Sequence, residues 1–271
     1  MLVNGICGKD GTNLQWKLDT LKGVLSISGQ GEMYDEWSFL DREVWRSKEY
    51  KDVITKVVIS VGVTSITSHA FEECMNLREI VIPNSINLIG AAAFQFCRKL
   101  ECITIPDGVE GILANTFLDC NGLKIIKLPD IFKYDIGNCA FMGCSNLESI
   151  NIPQGVTEIG EDAFKDCSSL THIKIPEGVK VIGDGAFARC SNLTSIKLPS
   201  SLRVIRNNAF YECNKLREAI YQGGVIAWSD VSITLKFCTF FTPKKCTGTT
   251  VVFLLVNHLF LLICNFLQLS L

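Results

Sequence analysis

Thirteen cysteines and three histidines are the residues of this 271-residue chain best suited to chemistry. A cysteine nucleophile needs a histidine base within hydrogen-bond reach and a third group to orient that base. Only His69, His172 and His258 are available. The alternation around His172 turns its side chain outward, one position before the inward-facing Ile173, and away from the cysteines. That arrangement argues against a hydrolase. Thiolates also bind zinc, but tetrahedral sites draw ligands from several directions, often through C-x-x-C pairs, and the chain contains no such pair. No G-x-G-x-x-G or Walker-type phosphate loop is present either. The sequence therefore predicts no catalytic residue, no cofactor and no metal.

Seven of the cysteines occupy one repeat position. Phe71, Phe94, Phe117, Phe141, Phe164, Phe187 and Phe210 are each followed three residues later by Cys74, Cys97, Cys120, Cys144, Cys167, Cys190 and Cys213. A leucine lies three positions beyond each cysteine, from Leu77 to Leu216, and prolines recur from Pro83 to Pro199. The period is 23 residues, with a single step of 24 between Phe117 and Phe141. A fixed period in this range is the signature of a solenoid, whose rungs bury their apolar faces only by stacking. Equivalent residues of parallel rungs lie about 4.8 Å apart and point the same way, which suits reduced, buried thiols better than disulfides.

One rung, Leu170 to Ser191, reads as an alternating strand, a proline stop, a second short strand and one helical or irregular turn. Leu170, Ile173, Ile175, Val179, Ile182, Phe187 and Cys190 face inward. Glycine at Gly90, Gly137, Gly160 and Gly183 suits a tight turn with positive φ. The extra residue within Asp130 to Asn138 predicts a local bulge. Upstream, Leu14–Leu18 and Val24–Ser28 flank Asp19–Gly23 as a hairpin that closes the open end of the array. Trp37, Trp45 and Tyr50 are packing points over the first rung.

These residues resemble the BspA-like leucine-rich repeats, whose form L-x-x-I-x-I-P-x-x-V-x-x-I-G-x-x-A-F-x-x-C is met by Leu147–Cys167 and Leu170–Cys190. Cys7-Gly8 through Leu14, Trp16, Leu18, Leu25, Ile27, Gly29, Gly31 and Met33 is similar to the family's N-terminal cap. Ile220-Tyr221-Gln222-Gly223, with Trp228 and Ile233, is similar to its closing segment. The resemblance implies a leucine-rich-repeat solenoid, a right-handed β-rich horseshoe or superhelix with parallel strands. It also implies a cell-surface or secreted protein of bacteria or protozoa engaged in adhesion.

Three regions follow: a cap over 1–52, the repeat solenoid over 53–233, and an out-of-pattern tail over 234–271. Val251 to Leu271 carries no charged residue and is long enough to cross a bilayer. Asn257, His258, Asn265 and Gln268 oppose that use, and Lys244 and Lys245 would place the repeats in the cytoplasm. A membrane anchor, a C-terminal cap and a non-native ending all remain open readings. Met1 to Asp10 lacks a charged segment followed by an apolar run, so no signal peptide is expected there. The cellular location is thus left unassigned, as is the oligomeric state.

Near balance of 26 basic and 28 acidic residues argues against a nucleic-acid partner. The strongest functional surface is the outward face of the strands, where Lys127, Asn151, His172, Lys174 and Lys197 gather over four rungs. Such a face fits an acidic patch or an extended chain on a protein. The function expected is therefore non-enzymatic protein binding and adhesion. A tethered or intracellular scaffold, and a spacer within a longer surface protein, are the alternatives.

Overall fold

The structure is a computed structural model and describes residues 1–34, 44–223, 231–233, 240–247 and 250–256. Seven rungs stack so that inward isoleucines, leucines, phenylalanines and cysteines form one continuous buried cluster. Parallel pairing between rungs runs in two short stretches per turn, reduced in places to isolated bridges such as Ile125 with Ser149 and Ile112 with Ile136. On one side run Lys56–Ile59, Glu79–Val81, Cys102–Thr104, Ile125–Lys127, His172–Lys174, Ser195–Leu198 and Glu218–Tyr221. On the other, Glu158–Ile159, Val181–Ile182, Val204–Ile205 and Ser232–Ile233 pair in parallel. The prolines end the first stretch because they cannot donate to a ladder.

The third side of each rung holds the Phe–Cys motif and is an irregular turn, not a helix. Twelve non-glycine residues there have φ between 52° and 61°, and Gly143 and Gly185 complete the set. They stand two positions before and two positions after each ladder phenylalanine. With φ alternating in sign, every second N–H of this segment points toward the next rung, while the intervening ones bond within their own rung, as Ala70 N–H does to Thr67 O and Glu72 N–H to His69 O. Phe94, Phe117 and Phe141 N–H thus donate to the carbonyls of Thr116, Ala140 and Ala163 at 2.8–2.9 Å. The flanking left-handed residues bond likewise, for example Ala92 to Ala114 and Phe96 to Leu118. Left-handed φ costs an ordinary residue about 1 kcal/mol or more, and this ladder of backbone bonds offsets it. The only described helical turn is a 3₁₀ turn at Val44–Arg46.

Glycine at Gly90, Gly137, Gly160 and Gly183 does not serve positive φ. None of the four has it. Each is glycine because the preceding rung passes too close: a Cβ on Gly90 would stand 2.3 Å from Ser68 N, and one on Gly183 would stand 2.7 Å from Gly160 C.

The 24-residue step brings its own repair. Elsewhere one backbone carbonyl accepts two N–H groups from the following rung, as Thr157 O does from Lys180 and Val181. In the long rung the Asp135 carboxylate takes that role, accepting from Thr157 N at 2.7 Å and Glu158 N at 2.9 Å. Phe132 fills the core there, while Ile131 and Tyr134 are exposed.

At the N-terminal end the hairpin spans Gly11–Asp19 and Val24–Gly29. A third strand, Leu2–Gly8, adds to its outer edge. Val24–Gly29 pairs in parallel with Lys56–Ile59, joining this cap to the first rung. Trp45 is buried edge-on against Trp16, with ring centroids 5.4 Å apart, and its Nε1 donates to Ala70 O at 3.0 Å. That bond satisfies a first-rung carbonyl with no earlier rung to serve it. Tyr50 packs half-buried against the core, and Trp37 lies outside the described residues. At the other end Thr250–Val256 pairs antiparallel with Glu218–Tyr221 and then with Phe240–Thr247. Residues 251–256 of the charge-free tail thus lie in a strand, while residues 257–271 fall outside the description. Among the described residues no helix is long and apolar enough to cross a membrane.

Candidate functional site

The two columns of the motif are wholly internal. All seven phenylalanines and seven cysteines of the ladder are buried. Neighbouring rings from Phe71 to Phe210 stack with centroids 5.3–5.5 Å apart, an offset geometry that favours aromatic pairs. Each thiol from Cys97 onward donates to the phenylalanine carbonyl of the rung before, as Cys120 Sγ does to Phe94 O at 3.0 Å and Cys167 Sγ to Phe141 O at 3.2 Å. The inter-rung N–H ladder leaves those carbonyls out, so the thiol supplies a hydrogen bond from the adjacent rung.

Burial holds the six ladder thiols from Cys74 to Cys190 protonated. It pushes Cys74 up to about 12 and raises Cys97, Cys144 and Cys190 well above the ordinary thiol range, with neighbouring ladder thiols adding to the effect in those three. A proton on sulfur is what the bond to carbonyl requires, and a thiol so held is a poor nucleophile and metal ligand. Among the described residues no disulfide is formed, and no group of three or more His, Cys, Asp or Glu side chains is placed to hold a metal.

The strand face is built differently. Lys127, Asn151, His172, Lys174 and Lys197 all point outward and are exposed. All five line a single groove of about 900 Å³ that spans the four rungs from Ile125 to Lys197. Parallel register places His172 beside Ser195 and Lys174 beside Lys197. Ile125, 64% exposed, puts an apolar side chain at one end. Asp130 and Gln154 also line the groove. They lie just past the prolines, outside the strand alternation by which outward residues were identified.

Within the repeats, most lysines outside the groove are tied to the adjacent rung. Lys56 pairs with Glu79 at 2.7 Å and Lys124 with Glu101 at 3.0 Å, while Lys99 and Lys215 donate to Asn76 and Asn192. Lys127, Lys174 and Lys197 have no ion-pair partner among the described residues. Their charges therefore add in the groove, opposed there only by Asp130.

Comparison with known proteins fits this architecture. A family model for the BspA type leucine-rich repeat region matches six copies over residues 49–135 and 133–232. Among solved structures, a leucine-rich repeat protein from Bacteroides ovatus ATCC 8483 is 34% identical with a TM-score of 0.58. The match covers 76% of this chain and 51% of that one, so the chain spans about half that relative's length. A leucine-rich repeat protein from T. pallidum is 27% identical with a TM-score of 0.57, covering 75% of this chain and 88% of its own. A search of curated proteins found no match.

Proposed function

Because the chain belongs to the BspA-type leucine-rich-repeat family, whose repeats generally mediate protein–protein interaction, we propose that it is a non-enzymatic adhesion module that grips a protein partner through its strand face. The observation that carries this reading is the gathering of Lys127, Asn151, His172, Lys174 and Lys197 in one groove with all three lysines unneutralised. A preformed face keeps the ordering cost of binding low, so many modest contacts suffice. The buried, protonated thiols support a structural role for the cysteines, and with it a binding protein over a catalyst.

The test compares the full chain with a Lys174→Glu, Lys197→Glu variant as immobilised bait for surface-labelled host-cell proteins. The proteins retained by the original should fall at least tenfold on the variant. Thermal stability should stay within about 0.5 kcal/mol, because both side chains are exposed and unpaired. Equal recovery on the two baits would remove the strand face from the function.

A further inference from the structure

The strand ladder is open inside the groove. In the rungs on either side, the residue before each proline donates across to the next rung: Ile105 N–H to Lys127 O at 2.8 Å and Ile175 N–H to Lys197 O at 3.0 Å. The equivalent N–H groups of Leu128 and Ile152 have no backbone acceptor among the described residues, and no backbone hydrogen bond joins Ser149–Ile152 to His172–Lys174. Ser149 keeps only a single bridge to Ile125. The same rungs remain tightly stacked at the other edge, with Phe141 and Phe164 centroids 5.3 Å apart. The opening is thus confined to the strand face, where Ile126, Leu128, Ile150 and Ile152 are each 7–9% exposed while Ile196 and Leu198 are fully covered. Backbone donors and acceptors left this way seek partners.

We infer that this groove takes an extended, acidic peptide segment, held by backbone hydrogen bonds to Ile150–Ile152 and by carboxylates on Lys127, Lys174 and Lys197. The inference rests on the strand-face reading above and assigns its ligand. Charge complementarity selects acid: three unpaired lysines face one carboxylate, Asp130. Chain length follows from the rungs. Three inter-rung steps of about 4.8 Å span about 14 Å, the reach of about four to five extended residues. Side chains two apart on such a segment lie about 6.6 Å apart, which lets successive carboxylates meet Lys174 and Lys197 from one side of the peptide. An extended peptide supplies both N–H and C=O groups, and a purely anionic polymer without amides does not.

The full chain is titrated with a fluorescent, end-blocked heptapeptide bearing glutamate at alternate positions with valine and threonine between. Controls are its glutamine counterpart, a version N-methylated on its central amides, and dextran sulfate. The acidic peptide should bind at least tenfold more tightly than the glutamine peptide. Added salt and Lys174→Glu with Lys197→Glu should each weaken it, and N-methylation should weaken it at least fivefold. Amide exchange at Asn151 and Ile152 should slow in the complex. If N-methylation changes nothing and those amides exchange as before while the lysine dependence persists, backbone docking is overturned and the charged face still stands. Loss of any preference for glutamate over glutamine overturns the acidic ligand. Dextran sulfate binding as tightly as the peptide overturns the peptide class.

Discussion

The turn edge and the strand face of this solenoid are made by the same rungs yet differ in continuity. Along the turn edge, ring stacking, thiol–carbonyl bonds and the left-handed backbone ladder run from Phe71 to Phe210 without a break. Along the strand face, parallel pairing is interrupted between Glu79–Val81 and Cys102–Thr104, and again beside Ser149–Ile152. Stability is therefore concentrated where side chains are nearly invariant from rung to rung. The strand face, relieved of that duty, is free to vary its outward residues and to leave backbone groups open. A repeat protein can carry a binding surface in this way without loosening its core.

The sharpest way to break the contrast is to cut the aromatic column. Phe187→Ala removes a ring stacked on Phe164 and Phe210 and should cost about 3–5 kcal/mol in denaturant unfolding. An equally drastic change among exposed groove residues should cost almost nothing. Alkali tests the thiol column as a whole. Burial raises the folded-state pKa, so the stability that each protonated thiol lends is full below its unfolded pKa and is lost as pH climbs above about 9 toward the folded value, about 12 for Cys74. Each of the six ladder thiols from Cys74 to Cys190 should contribute up to about 1.4 kcal/mol per pH unit in that window. Urea midpoints measured between pH 8 and 11 should therefore fall with a slope that shrinks when Cys167 is replaced by alanine. The smallest effect lies at the long rung. Asp135→Ala strands the N–H groups of Thr157 and Glu158 and should cost about 1–3 kcal/mol, whereas Asp135→Asn keeps an acceptor oxygen and should recover most of that loss in thermal melts.

Much of this was legible in the sequence because the period repeats the same letters. The phenylalanine and cysteine positions, the inward isoleucines and the outward alternation all follow from a 23-residue repeat with strand periodicity. The second role of cysteine was not legible: spacing marks Cys167 as buried, but only the offset between rungs brings its sulfur to Phe141 O. A serine there would find an acceptor, so Cys167→Ser does not create the partnerless hydroxyl that burial alone suggests. The left-handed positions were hidden for another reason. They are filled by His69, Glu73, Ala92, Phe96, Asn115 and Arg189 among others, and no single residue type flags them. The four turn glycines were visible but their cause was not, since close approach by a preceding rung is a tertiary fact. The open rung left no trace at all, because Leu147–Pro153 keeps every patterned residue. The strand Leu2–Gly8 was not legible because Leu2 and Ile6 face solvent while Gly5 stands at an alternate position, so no inward apolar alternation marks it.

Residue-resolved hydrogen exchange on the free, full chain tests the central claim most directly, because it reads the two edges of one rung in a single experiment. The account predicts that the amides of Phe117, Phe141 and Phe164 exchange only with global unfolding, while those of Asn151 and Ile152 exchange orders of magnitude faster. Equal protection of both sets would show a closed strand ladder and contradict the division of labour between the edges.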